Sequence, residues 1–292
     1  MLSKLLRLVL AVTLACALVP AAAAQTAPAG ETSGPGVQRA YRGQLGASIN
    51  NPGLQQTLEL VWTKPTSSSA NPLLSDAHVA AGVVHILTPA VTRLGGWVEY
   101  SPLSVLDLRA GADPSSYFGT FNSLMSFDAY SDPFDSDTRE AQGDGEAGVG
   151  LRLYFAPTLK MKAGPVVMQA SVELDRWWSS AAGPLFFEPR LDTLISTSGG
   201  GLANSSALAM YQWSLGRGGT LSAGAIHQQT YVFDAPANRI QRVGFIAVRD
   251  FGRDRFWLPN PRLTIILWYF LDDPSRKGQW GGAVAIGFRR GR

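Results

Sequence analysis

The chain has 292 residues, a formal net charge of +3 and a single cysteine. So small a charge gives no electrostatic basis for nucleic-acid binding, and one cysteine excludes a disulfide framework or a cysteine-built metal site. Two of the positive charges, Lys4 and Arg7, belong to the first segment, which leaves the remainder near +1.

Lys4 and Arg7 precede an apolar run over residues 8–18, then Pro20 and four alanines ending at Ala24. A basic start, an apolar middle and a small-residue end form the pattern of a secretory signal peptide, so residues 1–24 are expected to be removed by cleavage before Gln25. The rival reading is a retained membrane helix, because the apolar run is nearly long enough to span. Cys16 lies inside this segment, and Thr13-Leu14-Ala15 before it is a poor match to the box preceding a lipidated cysteine. The mature chain is therefore expected to carry no thiol.

Residues 25–37 are rich in Gly, Pro, Ala, Ser and Thr and read as a flexible spacer. No later stretch is both apolar and long enough for a membrane-spanning helix. Residues 38–292 instead break into segments of about ten residues with period-two alternation, separated by Gly, Pro, Asn, Asp and Ser clusters. Strands are expected near 40–49, 55–64, 77–87, 91–101, 103–112, 149–163, 166–177, 205–215, 220–233, 240–250, 262–271 and 281–288.

The clearest pattern is a hairpin. Val149, Leu151, Leu153, Phe155, Leu159 and Met161 alternate with Arg152, Tyr154, Thr158, Lys160 and Lys162, and after Gly164-Pro165 the alternation resumes. Setting residue 163 opposite 166 pairs Met161 with Met168 and Phe155 with Leu174, and brings Arg152 diagonally near Asp175. At about 3.3 Å per residue, such strands are long enough to cross a tilted membrane span. Pro157 cannot donate to a ladder and predicts a bulge or local irregularity. Elsewhere the alternation is weaker, and for the strands near 205–215, 220–233 and 263–271 it assigns no faces.

Twelve strands is an even count, which puts both termini on one side and makes alternate connections outward loops, the longer set. The longest connections, 113–146 and 178–204, fall in that set, whereas Gly164-Pro165 and residues 216–219 fall in the other. Trp177, Trp178, Trp257 and Trp280 lie at expected strand ends, where interface girdles sit.

These features, with a closing strand that carries Gly282, Val284, Ile286 and Phe288 on one face, resemble the bacterial outer-membrane β-barrel class, porin-like in architecture. The resemblance implies an all-β chain forming one antiparallel transmembrane barrel of about 12 strands, with periplasmic termini and contacts to outer-membrane lipid and the barrel assembly machinery. In that class the final strand ends in an aromatic residue that the machinery reads. Here Phe288 is followed by Arg289-Arg290-Gly291-Arg292. No functional residues are carried over.

Residues that could carry chemistry are few. None of His78, His85 and His227 is followed by the Ser-Asn-Gly run of outer-membrane lipases, and His78 and His85 have opposite strand parity, which argues against a joint metal site. The outward loop holds Asp128, Asp132, Asp135, Asp137, Glu140, Asp144 and Glu146, whose spacing lacks the glycine and closing glutamate of a calcium loop, so a solvated surface is the plainer reading. The expected lumen face collects Arg42, Glu59, Arg93, Glu99, Asp107, Arg109, Arg152, Lys160, Lys162, Glu173 and Asp175. Such a mixed lining either wets a channel or pairs across the lumen and closes it, and twelve strands lie between filled and open barrels.

Three functions follow in order: a narrow channel for small hydrophilic solutes, without catalysis, metal or cofactor; a structural barrel anchoring an envelope-spanning machine of secretion or gliding-motility type; and, last, a barrel hydrolase. The longer inward connections and the basic tail are surfaces for periplasmic protein partners, lipid head groups or water.

Overall fold

The computed structural model describes residues 36–291 apart from 51, 144, 217, 253, 255 and 256. The expected signal segment 1–24 and most of the expected spacer lie outside the described residues. Twelve antiparallel strands close into one barrel: β1 (Gln38–Ile49), β2 (Gly53–Pro65), β3 (His78–Leu87), β4 (Val91–Leu103), β5 (Leu106–Phe118), β7 (Ala147–Ala163), β8 (Val166–Ser179), β11 (Ser198–Leu215), β12 (Gly219–Val232), β13 (Ile240–Asp250), β14 (Arg262–Asp272) and β15 (Trp280–Gly291). Each pairs with its neighbour in sequence, and β1 pairs with β15 to seal the sheet. Closure leaves no unpaired edge, which is what lets a sheet sit in hydrocarbon. The start of β1 and the end of β15 lie at one rim, the terminal end; the long β5–β7 and β8–β11 connections rise from the other, the loop end.

The expected hairpin forms in the expected register, with Met161 opposite Met168, Phe155 opposite Leu174 and Ala163 opposite Val166. Pro157 produces no bulge. The β7–β8 ladder skips two pairs between Phe155–Leu174 and Thr158–Ser171 and resumes in the same register. Pro114 does the same between β4 and β5, where the pairs Arg93–Ser115 and Gly96–Ala112 flank a gap. A missing N–H removes a ladder bond without displacing the strand, because the neighbouring bonds fix the register. β5 therefore runs on to Phe118, past the expected end at 112.

Alternation turns one set of side chains outward. Leu45, Leu94, Val98, Leu153, Phe245 and Leu267 are exposed apolar residues of this set. Together with outward residues on the remaining strands they make an apolar band around the barrel, the surface that a lipid hydrocarbon layer requires. Tyr41, Tyr100, Tyr211 and Trp213 face outward near the terminal end, and Phe118, Tyr231 and Trp280 near the loop end. Trp177, expected in a girdle, is instead fully buried on the inner face, because it shares the parity of Asp175.

Four cross-strand pairs set an aromatic ring over a glycine: Gly82 with Trp97, Gly111 with Tyr154, Gly281 with Trp268 and Gly43 with Phe288. A Cβ on Gly281 would lie 2.3 Å from the Trp268 indole, and one on Gly82 would lie 2.5 Å from that of Trp97. The ring covers backbone that the glycine leaves bare, and the fit works in one register only.

The long connections, expected as loops, carry structure that the sequence reading missed. β6 (Ser126–Phe127), β9 (Leu185–Glu188) and β10 (Thr193–Ser196) form a small sheet in the order β10-β9-β6, and α1 (Ser136–Gln142) lies between β6 and β7. Asp135 caps α1, accepting from the Thr138 amide at 3.0 Å. The β9–β10 hairpin packs against the inner wall at the loop end.

Candidate functional site: a hairpin inside the barrel

The inner wall has two halves. On β1–β5, β7 and β8 it is charged. All eleven residues expected to line the lumen lie on the inward parity, but they fall into separate clusters. Near the terminal end, Arg42 pairs with Glu59 at 3.2 Å and Arg109 with Glu99 at 2.8 Å. His78 Nε2 lies 3.3 Å from Glu99, and the Arg109 guanidinium stacks 4.0 Å from the Trp97 ring centroid. Lys160 pairs with Asp107 at 2.7 Å, and Lys162 donates to Gln212, also at 2.7 Å.

Deeper in the barrel, Arg152 is held by three carboxylates. Its Nε donates to Asp175 at 2.7 Å, its Nη1 donates to Asp113 at 2.9 Å, and its Nη2 pairs with Glu173. Asn204 donates to the second oxygen of Asp175 at 2.8 Å, tying β11 into the network. Opposite Asp113 in the ladder stands Gly95, whose missing side chain leaves room for the carboxylate.

The β9–β10 hairpin packs inside the loop end of the barrel. Phe186, Leu194 and Ile195 are completely buried, and Phe186 meets inward-facing Tyr117 and Trp177 at centroid distances of 6.4 Å. Glu188, also completely buried, pairs with Arg93 of β4, accepts from Tyr117 Oη at 2.7 Å and accepts from the Arg190 amide at 3.2 Å. The guanidinium groups of Arg93, Arg152 and Arg190 lie 5.0, 5.8 and 5.8 Å from the Trp177 ring. Asp192 pairs with Arg276 of the β14–β15 connection, so the hairpin is fastened on both flanks.

On β11–β14 the wall carries an apolar cluster beside inward polar residues such as Gln228 and Arg242. Leu208, Met210, Ile226, Ile246, Ile266 and Trp268 of β11–β14 face inward and are buried together. The expected charged lining falls on the first half of the wall; for β11, β12 and β14 the alternation assigns no faces. An apolar side chain in a barrel is not thereby lipid-facing: where the interior is packed, it is a core like any other.

The acidic loop residues do local structural work. Asp132 accepts from the amides of Asp128 and Ala129, Asp135 caps α1, and Glu146 accepts from Ser126 Oγ at 2.8 Å. Asp137 lies in the first turn of α1, Glu140 lies in the same helix, and Asp144 is outside the described residues. Among the described residues, no group of three or more His, Cys, Asp or Glu side chains is arranged to hold a metal ion. His85 faces outward and bonds Thr92 Oγ1 at 2.9 Å, away from His78. Ser101 Oγ lies 3.3 Å from His78 Nε2 but donates to Asp107 at 2.6 Å and is 1% exposed.

Sequence reasoning missed Asp113, Tyr117, Glu188 and Arg190. Asp113 and Tyr117 share the parity of Asp107 and Arg109, a signal that the expected strand end at 112 concealed. Glu188 and Arg190 stand on a hairpin whose inward course no periodicity announces.

No family model matches the sequence, and no curated protein matches it. Among solved structures, the chain is similar to the β domain of the Bordetella autotransporter BrkA, with 13% identity over 87% of this chain and 98% of that one and a TM-score of 0.43. The translocator domain of the autotransporter NalP from Neisseria meningitidis matches at 12% identity over 89% and 90%, with a TM-score of 0.39. OmpT, an outer membrane protein of Vibrio cholerae, matches at 9% identity over 88% and 97%, with a TM-score of 0.35.

Proposed function

We propose that this chain is a non-catalytic outer-membrane barrel, closed by its hairpin together with the paired charges and apolar cluster beneath it, that serves as an anchor or docking platform in the envelope with its termini in the periplasm. The observation that carries this reading is the hairpin's burial. Glu188, Phe186, Leu194 and Ile195 are fully enclosed at the loop end, and an aqueous pore would need them displaced. A second reading, a narrow channel for small hydrophilic solutes, draws support from the charged clusters at the terminal end. It requires the hairpin to withdraw.

Current across a planar lipid bilayer separates the two. The folded, heat-modifiable protein is expected to be silent, and to stay silent when residues 185–196 are replaced by a short Gly-Ser linker. Discrete conductance only in the linker variant, altered by charge reversal at Arg152 or Glu173, would favour the gated channel. Conductance in the unaltered protein would refute closure.

A further inference from the structure

Parity sorts the charges of the wall by sign. Among the described residues, the outward positions of the twelve barrel strands hold no aspartate or glutamate, and the lysines and arginines there are Arg39, Lys64, Arg176, Arg249 and Arg290. Arg176 stands alone near the loop end. The others stand near the terminal end on β2, β1, β15 and β13, within a run of consecutive strands broken only by β14, and the outward positions of the remaining strands carry no Lys or Arg at that end. Arg249 packs on Phe251, with its guanidinium 5.2 Å from the ring centroid. Arg39, Lys64 and Arg290 are exposed and make no ion pair among the described residues.

These three residues form one patch. Arg290 lies opposite Tyr41 in the β1–β15 ladder, and Arg39 lies opposite Trp62 in the β1–β2 ladder. Arg39 is therefore the diagonal neighbour of both Arg290 and Lys64, at Cα separations of about 7–8 Å. Tyr41 and Trp62 share this face with the cations, and Tyr41 is 52% exposed. Toward the middle of the barrel, Leu45, Leu58 and Ile286 are exposed members of the apolar band. The β13–β14 connection folds against the end of β15, where Pro259 accepts from the Arg289 amide at 3.2 Å. Its acidic residue, Asp254, lines a cleft with Arg290 but accepts from the Asn260 amide at 3.1 Å.

We propose that this patch binds the head group of an anionic phospholipid in the leaflet at the terminal end, with an acyl chain laid along Leu45, Leu58 and Ile286. Charge and depth both select that occupant. Exposed cations on a wall without outward carboxylates attract an anion. Outward tyrosine and tryptophan beside them mark the level of the lipid head groups. A soluble acidic partner would meet cations that crown the open rim, whereas these sit on the lipid-facing side of the strands, continuous with the apolar band. The inference rests on the transmembrane reading of the barrel and not on whether the lumen conducts.

The test titrates the folded protein in non-ionic detergent with phosphatidylglycerol and, separately, with phosphatidylcholine of the same acyl chains, counting bound lipid by native mass spectrometry. Phosphatidylglycerol is expected to bind at least about tenfold more tightly. Arg39→Gln, Lys64→Gln and Arg290→Gln should each weaken it about fivefold and together on the order of a hundredfold, while Arg176→Gln leaves it unchanged. The single variants carry the measurement if the triple variant loses its heat-modifiable form. Equal binding of the two lipids, or binding indifferent to these substitutions, would overturn the proposal and leave the cations to an acidic protein. Inorganic phosphate binding the patch as tightly as phosphatidylglycerol would also overturn it, because the ligand would then be a soluble anion. Failure of the unaltered protein to insert into bilayers would instead reject the transmembrane reading itself.

Discussion

Glu188→Ala isolates the contact that holds the seal. The carboxylate is completely buried and is bound by Arg93, Tyr117 and the Arg190 amide, while Arg93 is itself 1% exposed. Removing one member of a buried ion pair strands the other and costs about 3–5 kcal/mol. The barrel ladder is untouched, so the loss falls on hairpin docking and raises its undocked fraction roughly a thousandfold for 4 kcal/mol. Limited proteolysis within residues 180–197 reports that fraction directly. The variant should be nicked there far faster than the parent, while the folded barrel keeps its heat-modifiable mobility. Glu188→Gln, which keeps the shape and part of the hydrogen bonding, should fall between. Equal nicking of Glu188→Ala and parent would refute the view that this ion pair secures the plug.

Leu153→Arg places a charge in the lipid-facing band and should lower folding stability by about 2–4 kcal/mol, measured by equilibrium refolding into bilayers. Gly281→Val should cost about 1–3 kcal/mol by crowding the Trp268 indole, and Trp268→Leu should recover part of it; the thermal midpoint of heat-modifiability gives both values. Hydrogen bonds from the Thr138 amide and hydroxyl hold the Asp135 carboxyl below the usual aspartate range. Its capping contribution is thus complete above the unfolded value, near 3.9, and is lost as pH falls through the lowered one. Hydrogen exchange of the Thr138 amide should accelerate on that descent, and Asp135→Asn should remove the pH dependence.

The barrel was legible because alternation is a local signal. Residues 149–177 alone gave the register, and the even strand count placed the long connections at one rim. What stayed hidden has physical causes. On β11–β14, Leu208, Ile226, Ile246 and Trp268 face a packed interior while Ala207, Ala225, Phe245 and Leu267 face outward, so both faces are apolar and period two carries little contrast. The hairpin at 185–196 has strands of four residues, too short for periodicity, and its direction is fixed by tertiary partners such as Arg93 and Arg276. Pro114 and Pro157 each weakened a strand assignment that neighbouring ladder bonds sustain.

The seal also depends on where its partners come from. Its contacts reach β4 through Arg93, β5 through Tyr117, β8 through Trp177 and the β14–β15 connection through Arg276. Those surfaces converge only after the last strand has met the first. A sheet that has not closed cannot offer all four surfaces together, so the hairpin finds its full set of partners only in the finished barrel.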